Sequence, residues 1–176
     1  KGWTPEPKVT PQEALQKIET QPAPDTGAKR PPIFWANEAK PILKSNYLVK
    51  GWLTSGDLSV VYAPSNVGKS FFCLDIAYCV AANLPWQGNK VRGGAVLYLA
   101  TEGGNAFRNR VYALQNEYAA ENVPLAIRPS PVDLLHPEAD LPILGQLCKE
   151  IEATHGKLSL IVVDTLSRAI AGGNEN

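Results

Sequence analysis

An eight-residue segment rich in turn-forming residues separates two apolar runs in the first half of the chain. It reads Ala-Pro-Ser-Asn-Val-Gly-Lys-Ser over residues 63–70, with the apolar run 58–62 before it and the run 71–82 after it. In one common arrangement a strand is followed by a tight loop and then by a helix that begins with Gly-Lys-Ser. Backbone N–H groups of the loop and the positive end of the helix then surround phosphate groups. The segment therefore predicts a phosphate-binding loop, and the alternative is an ordinary glycine-containing strand-to-helix turn.

Several residues of this loop have a physical role in binding a nucleotide. Gly68 lacks a Cβ, so the backbone can approach the β-phosphate, and Lys69 places a point charge between the β- and γ-phosphates. Ser70 offers a hydroxyl to Mg²⁺. The loop opens with Ala63, so its first turn forms without the freedom of glycine at positive φ. The predicted nucleotide-binding residues are Ala63, Pro64, Ser65, Asn66, Val67, Gly68, Lys69, Ser70 and Phe71.

The size and charge of the chain indicate one globular domain without a basic field. The chain has 176 residues, of which 44% are hydrophobic, and one substantial core is the expectation at this length. Seventeen basic and seventeen acidic side chains give a formal net charge of zero. The chain therefore has no overall positive charge that would attract nucleic acid, so DNA would be bound through a local patch or the channel of an oligomer.

The cysteine content and hydropathy predict a soluble, cytoplasmic protein. The three cysteines lie in apolar helical segments and are expected to be core residues in a reducing compartment. No apolar run is long enough to cross a bilayer, and no signal peptide is visible at the N-terminus. Methionine is absent and the sequence stops soon after a strand signal, so we expect a piece of a longer polypeptide.

The composition changes near residue 32. Residues 1–32 carry seven of the fifteen prolines and are predicted to be a linker. A short helix is predicted inside it from a capping box at residues 10–13. Its narrow apolar stripe either docks on the domain or belongs to a nascent helix. Residues 33–176 are predicted to form the globular domain that contains the phosphate-binding loop.

Strand and helix signals alternate after residue 33. The predicted strands are 58–62, 95–100, 125–128 and 158–163, and the predicted helices are 70–83, 105–118 and 140–154. The strands are short and almost wholly apolar, which is typical of strands buried on both faces of a parallel sheet. The order predicts an α/β fold with a mainly parallel sheet flanked by helices.

Two carboxylates follow predicted strands at the edge where a parallel sheet binds its ligand. Asp164 ends an apolar strand, the position from which a P-loop enzyme holds Mg²⁺, and a turn or helix-capping role is the alternative. Glu102 ends another strand and is predicted to polarise the attacking water, against the alternative of a solvated loop acid or helix cap. Glu102 and Lys69 are thus the candidate catalytic residues, and Ser70 and Asp164 the candidate metal ligands.

Three segments together resemble the RecA-like ATPases, within which the likeness is greatest to the RepA-type hexameric replicative helicases of plasmids and related phage ATPases. They are residues 63–70, residues 98–102 with 108–114, and residues 162–168. The resemblance implies a P-loop fold that binds ATP and Mg²⁺, with Glu102 as catalytic base and Asp164 as metal ligand. It also implies a homo-oligomeric ring, such as a hexamer, around single-stranded DNA, with an arginine supplied by a neighbouring subunit.

The same resemblance implies that residues 33–176 are the N-terminal portion of a RecA-like ATPase domain that is truncated at its C-terminus, since no further core strand or DNA-binding loop can be located. Other functions stay open at this point. One is a recombinase or DNA-repair ATPase of the same fold, and another is a nucleotide-responsive adaptor with little turnover. Among weaker candidates, at most one of Arg108 and Arg110 is expected to face the nucleotide. Arg168 either contacts a neighbour or nucleotide, or forms a surface salt bridge.

Overall fold

The computed structural model describes residues 35–39, 46–102 and 104–170. The predicted linker 1–32 and its short helix lie outside the described residues. The chain divides into two units between Leu43 and Lys44. In the first unit the described part is a 3₁₀ turn, Ala36–Glu38, whose start is capped where Glu38 accepts a hydrogen bond from the Trp35 backbone N–H over 3.1 Å.

The second unit contains a short hairpin, a parallel sheet and four α-helices among its described residues. In chain order the elements are β1 (Tyr47–Val49), β2 (Leu53–Thr54), α1 (Lys69–Ala82), β3 (Ala95–Ala100), α2 (Asn105–Tyr118), β4 (Leu125–Arg128), α3 (Pro137–His155), β5 (Leu158–Asp164) and α4 (Leu166–Ile170). Strands β1 and β2 pair antiparallel, whereas β4, β3 and β5 form a parallel sheet in that order. The predicted α/β fold with a parallel sheet flanked by helices is confirmed.

The central strand β3 explains how the helices are placed. All six of its residues are buried, and alternate side chains point to opposite faces, as the period of a strand requires. Val96, Tyr98 and Ala100 belong to a core cluster shared with α1 and with Phe107 of α2. On the opposite face Ala95, Leu97 and Leu99 pack with residues of α3. The sheet is therefore covered on both sides.

The predicted strand over residues 58–62 is wrong. The segment has no secondary structure, and its apolar side chains face solvent: Leu58 is 92% exposed and Tyr62 is 95% exposed. A strand needs a backbone partner as well as an apolar sequence. In the described part of the chain, β5 pairs with β3 along one edge, and no strand pairs with its other edge.

The other elements predicted within the described residues are confirmed, with small shifts at their ends. Helix α3 begins at Pro137, three residues before the predicted start, because proline is well tolerated in the first turn. Cys79 is buried, Cys73 and Cys148 are partly buried, and all three are free thiols, as predicted. No helix in the described ranges has the length and apolar character to cross a membrane.

Candidate nucleotide site

The loop at residues 63–70 leads directly into the N-terminus of α1. Asn66 and Gly68 both adopt positive φ, at 62° and 92°, and Gly68 is the N-cap of the helix. The first N–H groups of a helix lack partners inside it, so they form a ready anion-binding site. The Lys69 side chain folds over the loop, and its Nζ donates hydrogen bonds to the carbonyls of Ala63, over 2.9 Å, and Pro64, over 2.6 Å. A phosphate in the loop would compete with these carbonyls for the ammonium.

The parallel register brings the ends of β3 and β5 side by side. Ala100 is paired with Asp164, so Glu102 and Asp164 both lie at the carboxyl edge of the sheet. A cavity of about 90 Å³ opens there. It is lined by Ser70, Ala100, Glu102, Gly104, Ala106, Phe107, Arg110 and Asp164. Three predicted site residues, from α1 and from the ends of both strands, therefore share one cavity.

A larger cavity, of about 260 Å³, lies between the outer edge of β4 and α3. It contains none of the predicted site residues and is lined largely by apolar side chains, such as Pro124, Leu147 and Ile151. Phosphate binding needs N–H groups or cations. The smaller cavity is lined by Arg110 and by Ser70 in the first turn of α1, whereas the larger one is lined by no lysine or arginine. We therefore place the functional site at the smaller cavity.

The carboxylate of Asp164 is held by a buried tyrosine. The Tyr98 hydroxyl donates to Asp164 Oδ2 over 2.8 Å and lies 3.5 Å from the carbonyl oxygen of Ser70. Burial, followed by the negative charge of Asp164, raises the pKa of the Tyr98 hydroxyl, so it remains a donor at neutral pH. Burial and then the charge of Asp164 also raise the pKa of Cys73, which keeps this thiol protonated.

Glu102 is held by two donors from the start of α4. Its Oε1 accepts from Thr165 Oγ1 and from Arg168 Nε, each over 3.2 Å. The side chains of Glu102 and Arg168 are 53% and 51% exposed, so water reaches this carboxylate. Arg168 thus forms a salt bridge within the chain, one of the two roles considered from the sequence.

Thr101 ties the two strand ends together. Its backbone N–H donates to the Asp164 carbonyl over 2.8 Å, and its hydroxyl accepts from the Thr165 N–H at the same distance. The hydroxyl in turn lies 3.0 Å from the Asp164 carbonyl oxygen, to which it donates. Only 4% of this residue is exposed. The backbone positions of Glu102 and Asp164 are therefore fixed relative to each other.

Comparison with protein families decides the class of the domain. A family model described as an AAA domain matches residues 24–176. The chain belongs to this AAA-domain family. The match supports a P-loop ATPase domain, in agreement with the observed parallel sheet and loop. Comparisons with curated proteins and with solved structures found no match.

The residues of this AAA domain fit a magnesium ion bound with ATP. Mg²⁺ prefers oxygen ligands and commonly binds one or two carboxylates together with substrate phosphates. Ser70 and Asp164 line the same cavity, and Oδ2 of Asp164 accepts a hydrogen bond from the Tyr98 hydroxyl. Among the described residues Oδ1 accepts no hydrogen bond, so it is the oxygen available to a cation. In the described chain no group of three His, Cys, Asp or Glu side chains could hold a metal by itself.

Two further residues of the AAA domain belong to the site: Tyr98, which binds Asp164 and was not selected from the sequence, and Arg110, which was one of two weaker candidates. Tyr98 was hidden inside an apolar strand, where its polar end was the available signal. Arg110 lines the cavity and places its guanidinium 4.5 Å from the centre of the Phe71 ring, whereas Arg108 is exposed on the helix. Trp52 packs against the buried ring of Trp86, with ring centres 5.0 Å apart, and does not line the cavity.

Proposed function

We propose that this AAA domain binds MgATP and hydrolyses it, as the motor domain of a replicative DNA helicase-like protein. The observation that carries the proposal is the convergence of Ser70, Glu102 and Asp164 on one cavity beside the loop that contains Lys69. In phosphoryl transfer the protein mainly positions groups and stabilises charge, and this arrangement supplies both functions.

Each proposed catalytic role follows from the position of a side chain. Lys69 and the N–H groups at the start of α1 bind the phosphates. Ser70 and Asp164 hold Mg²⁺, which when bound neutralises charge developing on the phosphate oxygens. Glu102 orients a water molecule and accepts its proton through the carboxylate oxygen that Thr165 and Arg168 leave free. Thr101 keeps Glu102 and Asp164 at a fixed separation.

The helicase part of the proposal is supported by the motifs around Glu102 and Asp164 that resemble the plasmid and phage replicative helicases. Because the net charge is zero, we infer that single-stranded DNA binds a local patch in an assembled ring, which would be a hexamer. The exposed apolar side chains of Leu58, Tyr62 and Ile161 favour association with further protein surface. Three free cysteines favour a cytoplasmic location.

A nucleotide-responsive adaptor with little turnover is the second candidate. It is favoured by two observations: Lys69 is engaged by loop carbonyls, and Glu102 is engaged by Arg168. A domain with both groups engaged would bind ATP and need a partner before it turned over.

ATP hydrolysis by the full-length protein, measured with and without single-stranded DNA, tests these functions. The motor predicts turnover that DNA stimulates and that Lys69→Ala abolishes, with the fold of the variant verified by circular dichroism. Turnover that neither DNA nor RNA stimulates would contradict the motor. ATP binding without turnover under any of these conditions would favour the adaptor.

A further inference from the structure

We infer that Tyr98 is a positioning residue for the metal site, holding Asp164 in the orientation that binds Mg²⁺ and linking it to the phosphate-binding helix. This inference rests on the proposed MgATP site. It concerns a residue that does not contact the phosphates or water and acts through Asp164.

The first observation is that Tyr98 is enclosed by the core. It is fully buried in the middle of β3, and its ring centre lies 5.1 Å from that of Phe107. In the sheet Tyr98 is paired with Val162, two residues before Asp164, so the two side chains point to the same face. The hydroxyl therefore meets Asp164 at a position set by the sheet.

The second observation is that this one hydroxyl lies against both elements that supply the metal ligands. It donates to Asp164 Oδ2 over 2.8 Å, and the Ser70 carbonyl oxygen is 3.5 Å away. Its proton fixes the rotation of the carboxylate and leaves Oδ1 for a cation. The same hydroxyl lies between the end of β5 and the first turn of α1.

The chemical consequence is a metal affinity that depends on the tyrosine. Hydrogen-bond partners of a metal-binding carboxylate orient it, and their removal typically weakens metal affinity or activity by about 10- to 100-fold. Without its partner, Asp164 can rotate and engage other donors. A tyrosine that served only to fill the core would affect stability and leave the metal requirement unchanged.

The test is the affinity of the full-length protein for a fluorescent ATP analogue, titrated in EDTA and in Mg²⁺. Tyr98→Phe keeps the ring and its contact with Phe107. We expect it to leave the affinity in EDTA unchanged and to raise the Mg²⁺ concentration for half-maximal tightening by about tenfold. An unchanged Mg²⁺ requirement would overturn the inference.

Tyr118→Phe is the matched control. It also removes a tyrosine hydroxyl from an aspartate, since Tyr118 donates to Asp75 Oδ1 over 2.6 Å, but neither of these residues lines the cavity. We expect lower stability and an unchanged Mg²⁺ requirement. Equal shifts in the two variants would show a general loss of packing and contradict the positioning role.

A second readout separates this inference from the proposed function. If the wild-type protein bound no ATP analogue, the proposed function would fail. Electron paramagnetic resonance of Mn²⁺ added without nucleotide would then decide the role of Tyr98. Weaker Mn²⁺ binding by Tyr98→Phe than by the wild type would support it, and equal or absent binding would overturn it.

Discussion

Arg168 Nε donates to Glu102 Oε1 over 3.2 Å, which joins the first turns of α4 to the end of β3. Thr165 donates to the same oxygen, so the carboxylate is held on one side within its own chain. Both partners of the ion pair are about half exposed, at 51% and 53%. Exposed ion pairs of this kind contribute up to about 1 kcal/mol to the free energy of folding, so losing this one should affect the site by no more than that.

Replacing Arg168 by alanine is therefore expected to have a modest effect on catalysis. Loosening Glu102 by up to about 1 kcal/mol should lower kcat by no more than about fivefold, with KM for ATP unchanged. Arg108→Ala, at an exposed position on α2, is the control and should retain the wild-type kcat. Steady-state ATPase kinetics measure both. A hundredfold loss for Arg168→Ala would mean that this arginine contacts the reacting phosphate itself.

Asp75 is expected to matter for stability and little for nucleotide binding. Its two oxygens accept from Trp86 Nε1 over 2.8 Å and Tyr118 Oη over 2.6 Å, which ties α1 to the loop after it and to α2. Asp75→Ala leaves both donors without a partner and should lower the free energy of unfolding by about 2 kcal/mol. Urea denaturation measures this, with the exposed Glu117→Ala as control. A change as small as that of the control would contradict the role of this network.

The loop between β4 and α3 should make stability depend on pH. Asp133 accepts a hydrogen bond from the His136 ring over 2.8 Å, which raises the pKa of His136 above its usual 6.5. A raised histidine pKa stabilises the fold below 6.5, and this contribution is lost as the pH rises through the folded-state value. His136→Gln should remove that loss.

Urea midpoints at pH 5.5 and pH 8.5, bracketing the usual histidine pKa of about 6.5, measure the effect. The difference between the wild type and His136→Gln should be greater at the lower pH. His155→Gln is the control, since His155 forms no ion pair among the described residues. Equal differences at both pH values would show that the Asp133 contact does not stabilise the folded protein.

Two glycines are expected to respond in opposite directions to a methyl group. Gly68 has a φ of +92°, which other residues adopt at a cost, and Gly68→Ala should destabilise the fold by about 1–2 kcal/mol. Gly145 lies in α3 with open space at its Cβ position, so Gly145→Ala should stabilise by about 0.5–1 kcal/mol. Thermal unfolding compares the two. If both variants changed the unfolding temperature by the same amount in the same direction, the positive φ of Gly68 would impose no cost on a residue with a side chain.

The distribution of apolar residues along the sequence predicted the helices and strands that pack into the core. Helix α1 and strands β3, β4 and β5 are almost wholly apolar, helix α2 has one apolar face, and the structure contains all of them. The segment 58–62 has the same apolar character and forms no strand. Whether this segment forms a strand depends on a neighbouring strand for its backbone to pair with, and the local sequence does not show whether one is present.

The candidate site was predictable where a residue type carries the chemistry. Lys69, Ser70, Glu102 and Asp164 follow from the motifs and from the ends of strands. Tyr98 could not be selected in this way, and the partners of Thr101 could not be specified, because both roles depend on contacts with residues about 65 positions away along the chain. Such positioning residues emerge only when the sheet register is known.

ATP binding and single-turnover hydrolysis by Glu102→Gln test the hydrolytic site most directly. The substitution keeps the shape of the side chain and removes the base, so the variant should bind MgATP with the wild-type affinity while hydrolysis falls by about 100-fold or more. Lys69→Ala, assayed in parallel, should fail in binding itself. Hydrolysis by Glu102→Gln at the wild-type rate would contradict the role of Glu102 and the proposed site with it.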